Sequence, residues 1–232
     1  MLTIAFDDAY SDTAKYAIKY LDKHGIKSTI SVPANLIGST FEKRPVISLN
    51  ILKSLAKSGH EIASHTLTHP NLARMSSKNK FLANLEIAES KRKLERILKK
   101  DVSSFVFPYI KKNWTRALLL KAKKHYKSIR VTFDKPCFNK VPATSPLKGF
   151  AIIKKHSLSY LNKQVDYAEK NRLWLIEVFH LVAKKNALSA SRPKPYRFFM
   201  HIHDFKKHID YVVSKGVVIR TQQGGKSDSR AG

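Results

Sequence analysis

Short apolar runs alternate with longer amphipathic stretches along this chain, and that alternation restricts the architecture more than any other feature. LTIAF (2–6) and STISVP (28–33) read as strands, and between them Ala14, Ala17, Ile18 and Leu21 fall at helix spacing before Gly25. A helix pattern over 49–57 closes at Ser58-Gly59, HEIASH (60–65) reads as a short strand, and 77–99 reads as one long amphipathic helix with a serine cap in SSKNK. SSFVFP (103–108) is a strand stopped by Pro108, and a helix over 116–125 precedes the strand SIRVTF (128–133). A helix over 161–170 leads into the buried run WLIEVFHLV (174–182), and the helix FKKHIDYVVSKG (205–216) into a final strand, VVIRT. Strand and helix alternating in this way predict a parallel sheet, open or closed into a barrel. Residues 184–197, KKNALSASRPKPYR, are polar and Pro-rich and read as a surface loop. Residues 222–232 read as a disordered polar tail, which leaves one domain over 1–221.

The length, 232 residues, is ample for a core, and 43% hydrophobic residues exclude a disordered chain. No apolar run reaches the eighteen or so residues of a membrane span. The N-terminal MLTIAFDD lacks the basic and small-residue features of a signal peptide, so the expected location is cytoplasmic, unless a signal has been removed upstream of the numbering. The lone Cys137 allows no internal disulfide and no cysteine metal set. Forty-four Lys and Arg against 17 Asp and Glu leave a net charge of +27, a field that draws in polyanions such as nucleic acid or anionic glycans. The lysines are scattered, several at helical spacing, which favours a solvated surface, and no specific nucleic-acid partner is predicted. Nothing in the sequence sets the oligomeric state.

In parallel α/β architectures functional groups gather at the carboxyl ends of strands. Asp7-Asp8, His65, Pro108-Tyr109 and His180 each stand at or just past such an end. His65 and His69, in HTLTH, lie four apart, so one helical turn would bring both imidazoles to one ion. Two histidines and a carboxylate form a common catalytic set for zinc or a similar divalent metal. The spacing alone is more often structural, and Thr66 stands where a zincin carries Glu. Adjacent aspartates at a strand end point in different directions, so one carboxylate can bind metal while the other faces its water. A helix cap is the alternative, although Ser11 or Asp12 would serve for that. His201 and His203 precede a helix pattern, where His203 or Asp204 reads as a cap. Tyr10, Tyr109 and Trp174 offer aromatic faces to a sugar ring, with core packing the equal alternative for Trp174.

IAFDDAY with SHTLTHP resembles the first two motifs of the polysaccharide deacetylase family (NodB-homology, carbohydrate esterase family 4), written (T/S)FDDG and H(S/T)xxH. FVFPYI sits where the third motif, RxPY, falls, and WLIEVFHLV resembles the last, an apolar strand ending in histidine. The resemblance spans residues 1–221. It implies a distorted (β/α) barrel of about seven parallel strands, one divalent ion (zinc first, cobalt or manganese as alternatives) and an N-acetylated sugar or other amide as substrate. It makes Asp7 the general base, Asp8, His65 and His69 the metal ligands, His180 the general acid, and the Tyr109 N–H beside Pro108 an oxyanion donor. The chain departs from the pattern at Ala5 and Ala9, at Val106 where an Arg orients the base, and at Ile110 after Tyr109. The fourth motif has no clean counterpart, with Arg130 as a contributor to weigh. The expected activity is hydrolysis of a non-peptide C–N bond, foremost N-deacetylation of an amino-sugar polymer. A small cyclic or linear amide, or a lapsed enzyme that binds carbohydrate or a polyanion, are the alternatives.

Overall fold

A computed structural model of the chain describes residues 1–110, 113–184 and 196–227. Seven strands carry the fold: β1 (Leu2–Phe6), β2 (Thr29–Val32), β3 (Glu61–Ser64), β4 (Ser104–Ile110), β5 (Ser128–Phe133), β6 (Leu147–Ala151) and β7 (Trp174–Phe179). Each lies parallel to its predecessor, and β1 pairs with β7 from Leu2↔Leu175 to Phe6↔Phe179, which closes the sheet into a barrel. A short antiparallel strand, Phe138–Asn139, is added to the start of β7.

Helices surround the barrel: α1 (11–23, π-wound over Ala14–Ile18), α2 (Leu49–Lys57), α3 (Leu72–Lys78), α4 (Lys80–Leu98), α5 (Arg116–His125), α6 (Leu158–Lys170), α7 (Ile202–Ser214) and α8 (Gln222–Ser227). Ser48, Thr115 and Ser157 cap α2, α5 and α6 by accepting backbone N–H bonds in the first turn.

Side-chain alternation sorts β7 into two faces. Leu175 and Phe179 join the main core with Ile30, Phe105, Ile129 and Phe150 of other strands and Leu21, Ile87 and Ile209 of the helices. Glu177, on that same face, meets His208 Nε2 of α7 at 2.8 Å, and His208 Nδ1 meets Asn162 of α6, also at 2.8 Å. Trp174, Ile176 and Val178 point the other way and pack with Ala5 and Leu147 inside the barrel.

Several sequence expectations need correction. The span 77–99 is two helices, because Asn79 takes an extended conformation and caps α4 itself, accepting from Leu82 N. Pro108 does not stop β4, which runs to Ile110 through a break in its register with β5 between Val106 and Ile110. A proline without an N–H fits where the ladder is broken. The strand β6 was not foreseen: LKGFA carries no clean alternation, and Gly149 sits at its centre. WLIEVFHLV is two strands parted by His180, since Leu181–Ala183 pairs with Phe199–His201. VVIRT is not a strand; it makes a single bridge, Leu2↔Ile219, below a barrel already closed by β7. The tail is not all disordered either, because α8 buries Gln222 and packs Gly225 against the Trp174 ring. Most of the expected loop 184–197 (185–195) and the tail end, 228–232, lie outside the described residues.

His60, just before β3, is held neutral by its surroundings. Its Nδ1 accepts from the Ser28 N–H at 3.1 Å, and Nε2 stands 3.0 Å from Asp22 Oδ1. Burial pushes its pKa below the ordinary 6.5, against the pull of Asp22. A depressed histidine stabilises the fold fully above the unfolded value and less as pH falls below it. The melting temperature should therefore drop as pH is lowered from 7 through 6.5, and His60→Asn should flatten that limb in a pH series of thermal melts.

Candidate active site

The carboxyl ends of β1 and β3 bring three ligating atoms together. His69 Nε2 lies 3.1 Å and His65 Nε2 3.6 Å from Asp8 Oδ1, and all three residues are buried. Their ligand atoms lie within 4.8 Å of one another, the one such His/Asp cluster among the described residues. The convergence is not that of a helical turn. Residues 65–69 form an irregular loop in which Thr66 (φ 68°) and His69 (φ 62°) are left-handed. Glu86 of α4 holds this loop: its carboxylate accepts from Leu67 N (2.8 Å), Thr68 N (2.9 Å) and Thr68 Oγ1 (2.6 Å). The Thr66 hydroxyl accepts from His69 N at 3.0 Å.

The donor set fits a divalent cation. His65 donates from Nδ1 to the Val106 carbonyl at 2.9 Å, which leaves the Nε2 lone pair facing Asp8. Burial pushes the His65 pKa down to about 4, with Asp7 opposing, so the ring is in its neutral, ligating form at pH 7. Burial raises the Asp8 carboxyl, but His69, His180 and His65 outweigh it and hold Asp8 well below the usual range. Asp8 Oδ1 is nonetheless buried without a hydrogen-bond partner, which a cation would satisfy.

Asp7 points to the barrel interior. Its Oδ1 accepts from Arg130 Nη2 at 2.5 Å, and both side chains are buried. Burial raises the Asp7 pKa, yet Arg130, His65 and His180 together bring it below the ordinary carboxylate value. Arg130, from β5, is fixed on every side: Nη1 donates to Thr132 Oγ1 (2.8 Å), Nη2 also to Ser31 Oγ (3.3 Å), and Nε to Gln222 Oε1 (3.2 Å). Gln222 is anchored in turn, its N–H donating to Thr29 Oγ1 at 2.8 Å and its Nε2 to Ser128 Oγ at 3.0 Å. Gly149 makes the room, because a Cβ there would stand 2.9 Å from Arg130 Nη1 and 2.8 Å from Val178 Cγ2. Gly149→Ala is therefore expected to destabilise the fold by about 1–3 kcal/mol, as overpacking does. Denaturant melts measure this, and an unchanged midpoint would mean the guanidinium is not tightly seated.

His180 stands at the end of β7, its ring stacked on Phe198 with centroids 4.6 Å apart and its Nδ1 buried without a partner. The Thr13 hydroxyl fixes its backbone, donating to the His180 carbonyl (2.8 Å) and accepting from Val182 N (3.1 Å). Tyr109 (φ 63°) follows Pro108 in the irregular part of β4, half exposed, with its ring 4.8 Å from that of His69. Left-handed non-glycine residues thus crowd the site: Asp8 (φ 70°), Ala9 (φ 50°), Thr66, His69 and Tyr109. Such conformations persist where surrounding structure over-determines them.

A family model described as polysaccharide deacetylase matches residues 1–128, more than half of the chain. The chain belongs to the polysaccharide deacetylase family. Over 92 residues it is 35% identical to a peptidoglycan-N-acetylglucosamine deacetylase of Bacillus cereus, a match covering 37% of this chain and 30% of that protein. The chain spans about a third of the length of the curated relatives it matches. A solved peptidoglycan N-acetylglucosamine deacetylase superposes with a TM-score of 0.60 at 18% identity, covering 95% of this chain and 85% of that one. A pseudoenzyme of carbohydrate esterase family 4 from Bacillus anthracis superposes with a TM-score of 0.57 at 14% identity, covering 95% and 63%. These likenesses share the barrel.

Against the family pattern, the strand β4 position that carries an arginine holds Val106, whose carbonyl is used by His65. The guanidinium comes from the next strand instead, through Arg130. Sequence reading left Arg130 as a contributor to weigh and did not single out Glu86, Gly149 or Gln222. A Glu falling among the apolar positions of an amphipathic helix pattern, about two turns into α4, was the one available signal for Glu86. Of the aromatic residues expected to face a sugar, Tyr10 and Trp174 are buried, Tyr10 hydroxyl-to-hydroxyl with Tyr196 at 3.2 Å, and Tyr109 alone is exposed. The cap of α7 is His201, which accepts from His203 N, in place of His203 or Asp204. A cavity of about 710 Å³ lies apart from the aspartates and site histidines, between Ile153, Leu158 and Met200.

Proposed function

We propose that this protein is a metal-dependent amide hydrolase that removes acetyl groups from an N-acetylated amino-sugar oligomer or polymer. One observation carries the reading. The cluster Asp8, His65 and His69 stands beside a separate carboxylate, Asp7, that is charged, buried and held by a guanidinium. One aspartate is thereby left for proton transfer while its neighbour ligates. Family membership supports the same chemistry.

Asp8 and the Nε2 atoms of His65 and His69 would hold a divalent ion of the zinc type. Such an ion polarises an amide carbonyl and acidifies water. Asp7, oriented by Arg130, takes the proton from the attacking water. The Tyr109 N–H donates to the oxygen that becomes negative as the carbonyl carbon turns tetrahedral. His180 gives a proton to the departing nitrogen, so that acetate and a free amine leave. The burial of Asp7, Asp8, His65 and His69 strengthens these interactions by keeping bulk water away.

The test is acetate release from N-acetylglucosamine oligomers by zinc- or cobalt-loaded protein, with and without a chelator. Release that stops on chelation and returns with metal is the expected result. A loaded protein that frees no acetate from any N-acetylated glycan in a broad panel would overturn the reading.

A further inference from the structure

Five lysines line one groove between α1 and the start of α7, of about 190 Å³. Lys15, Lys19 and Lys23 come from α1, Lys184 from just beyond the strand Leu181–Ala183, and Lys206 from α7, with Tyr16 and Tyr20 between them. All five are exposed, and none forms an ion pair among the described residues. The neighbouring acids are engaged elsewhere: Asp22 by Lys27 and His60, Asp210 by the Tyr20 hydroxyl. Three of the ammonium groups lie over ring faces, Lys15 and Lys184 at 5.4 and 5.9 Å from the centre of Tyr16 and Lys206 at 5.1 Å from that of Tyr20.

Like charges at i, i+4 oppose one another on a helix, so aligning Lys15, Lys19 and Lys23 gives the fold no benefit. Their row covers about two turns, roughly 12 Å of helix, which suits an extended ligand and not a single small anion. The upper end begins two residues from Thr13, the residue bonded to the backbone of His180 and Val182. The groove therefore leads down the barrel side from the wall that holds His180.

We propose that this groove binds a carboxylated, anionic polysaccharide strand and feeds it to the site. The direction toward the site rests on the deacetylase reading; the binding itself does not. Ammonium groups give charge-assisted hydrogen bonds to carboxylates. A single-stranded nucleic acid would need free aromatic faces for its bases, and here cations already cover both rings.

The experiment measures affinity by fluorescence anisotropy at two salt concentrations, without turnover. The probes are labelled hyaluronan octasaccharide, a chitin oligosaccharide of equal length and a single-stranded oligonucleotide. The groove variant Lys15→Gln/Lys19→Gln/Lys206→Gln is compared with Lys121→Gln/Lys123→Gln/Lys124→Gln, which removes the same charge from exposed positions of α5. Thermal melts establish that both are folded. We expect hyaluronan to bind at least tenfold more tightly than chitin oligosaccharide, and only the groove variant to lose that advantage. Equal losses in both variants would assign the binding to net charge and overturn the groove. An oligonucleotide bound as tightly as hyaluronan through the same three lysines would overturn the glycan assignment. Because acetate is measured separately, a protein that binds hyaluronan through the groove and, loaded with metal, releases acetate from no glycan of the broad panel refutes the deacetylase reading alone. One that deacetylates neutral oligomers with no preference for hyaluronan refutes the groove alone.

Discussion

Asp7→Asn is expected to leave a folded protein that still takes up one divalent ion and deacetylates at least about a hundredfold more slowly, the lower range of what a general base supplies. The amide keeps the shape of the carboxylate and removes the charge that accepts a proton. It does not touch Asp8, His65 or His69, so metal content measured on the same preparation separates lost chemistry from a lost site. The variant should also melt earlier. Arg130 would stay buried without its carboxylate, and removing one partner of a buried pair destabilises by about 3–5 kcal/mol. Turnover equal to that of the parent protein, with metal bound in both, would take the base assignment away from Asp7.

His65→Ala and His69→Ala should each weaken metal binding by more than about a hundredfold, beyond the ~10–100-fold range that loss of an outer partner brings. Glu86→Gln supplies that outer comparison. It leaves all three ligands in place and loosens the loop that Glu86 holds through Leu67 and Thr68, so its loss should fall within the lower range. Zinc titration against a competing chelator gives all three affinities. If both alanine variants bind as tightly as the parent, the HTLTH loop is structural and the proposed activity falls with it.

Much of this architecture could be read from the chain because its strands are buried on both faces and appear as short apolar runs. The elements that escaped did so for identifiable reasons. Gly149 breaks the apolar run of β6, and it does so because Arg130 occupies the space a side chain would fill. Asn79 divides a stretch whose hydrophobic period runs on without interruption. VVIRT has a strand's composition, but β7 had already taken the place beside β1. Within the site, residue types and strand ends pointed to Asp7, Asp8, His65, His69 and His180. What brings them together was hidden, because left-handed backbone at Thr66 and His69 and a brace from a distant helix leave no local pattern. The arginine was hidden differently. A motif records positions along one strand, whereas a guanidinium is long enough to reach the same carboxylate from the strand beside it.

The helix α8 gives the barrel a floor, and the floor has a bearing on how the molecule can be handled. Cutting the chain after Thr221 would keep every recognised motif and the whole 65–69 loop. It would also remove the amide against which Arg130 rests and the backbone that covers Trp174. Water could then enter from beneath, and the guanidinium would gain freedom to turn away from Asp7. The site is in this sense supported from both ends of the barrel, and trimming a few polar residues at the far end amounts to a change at the Asp7–Arg130 pair.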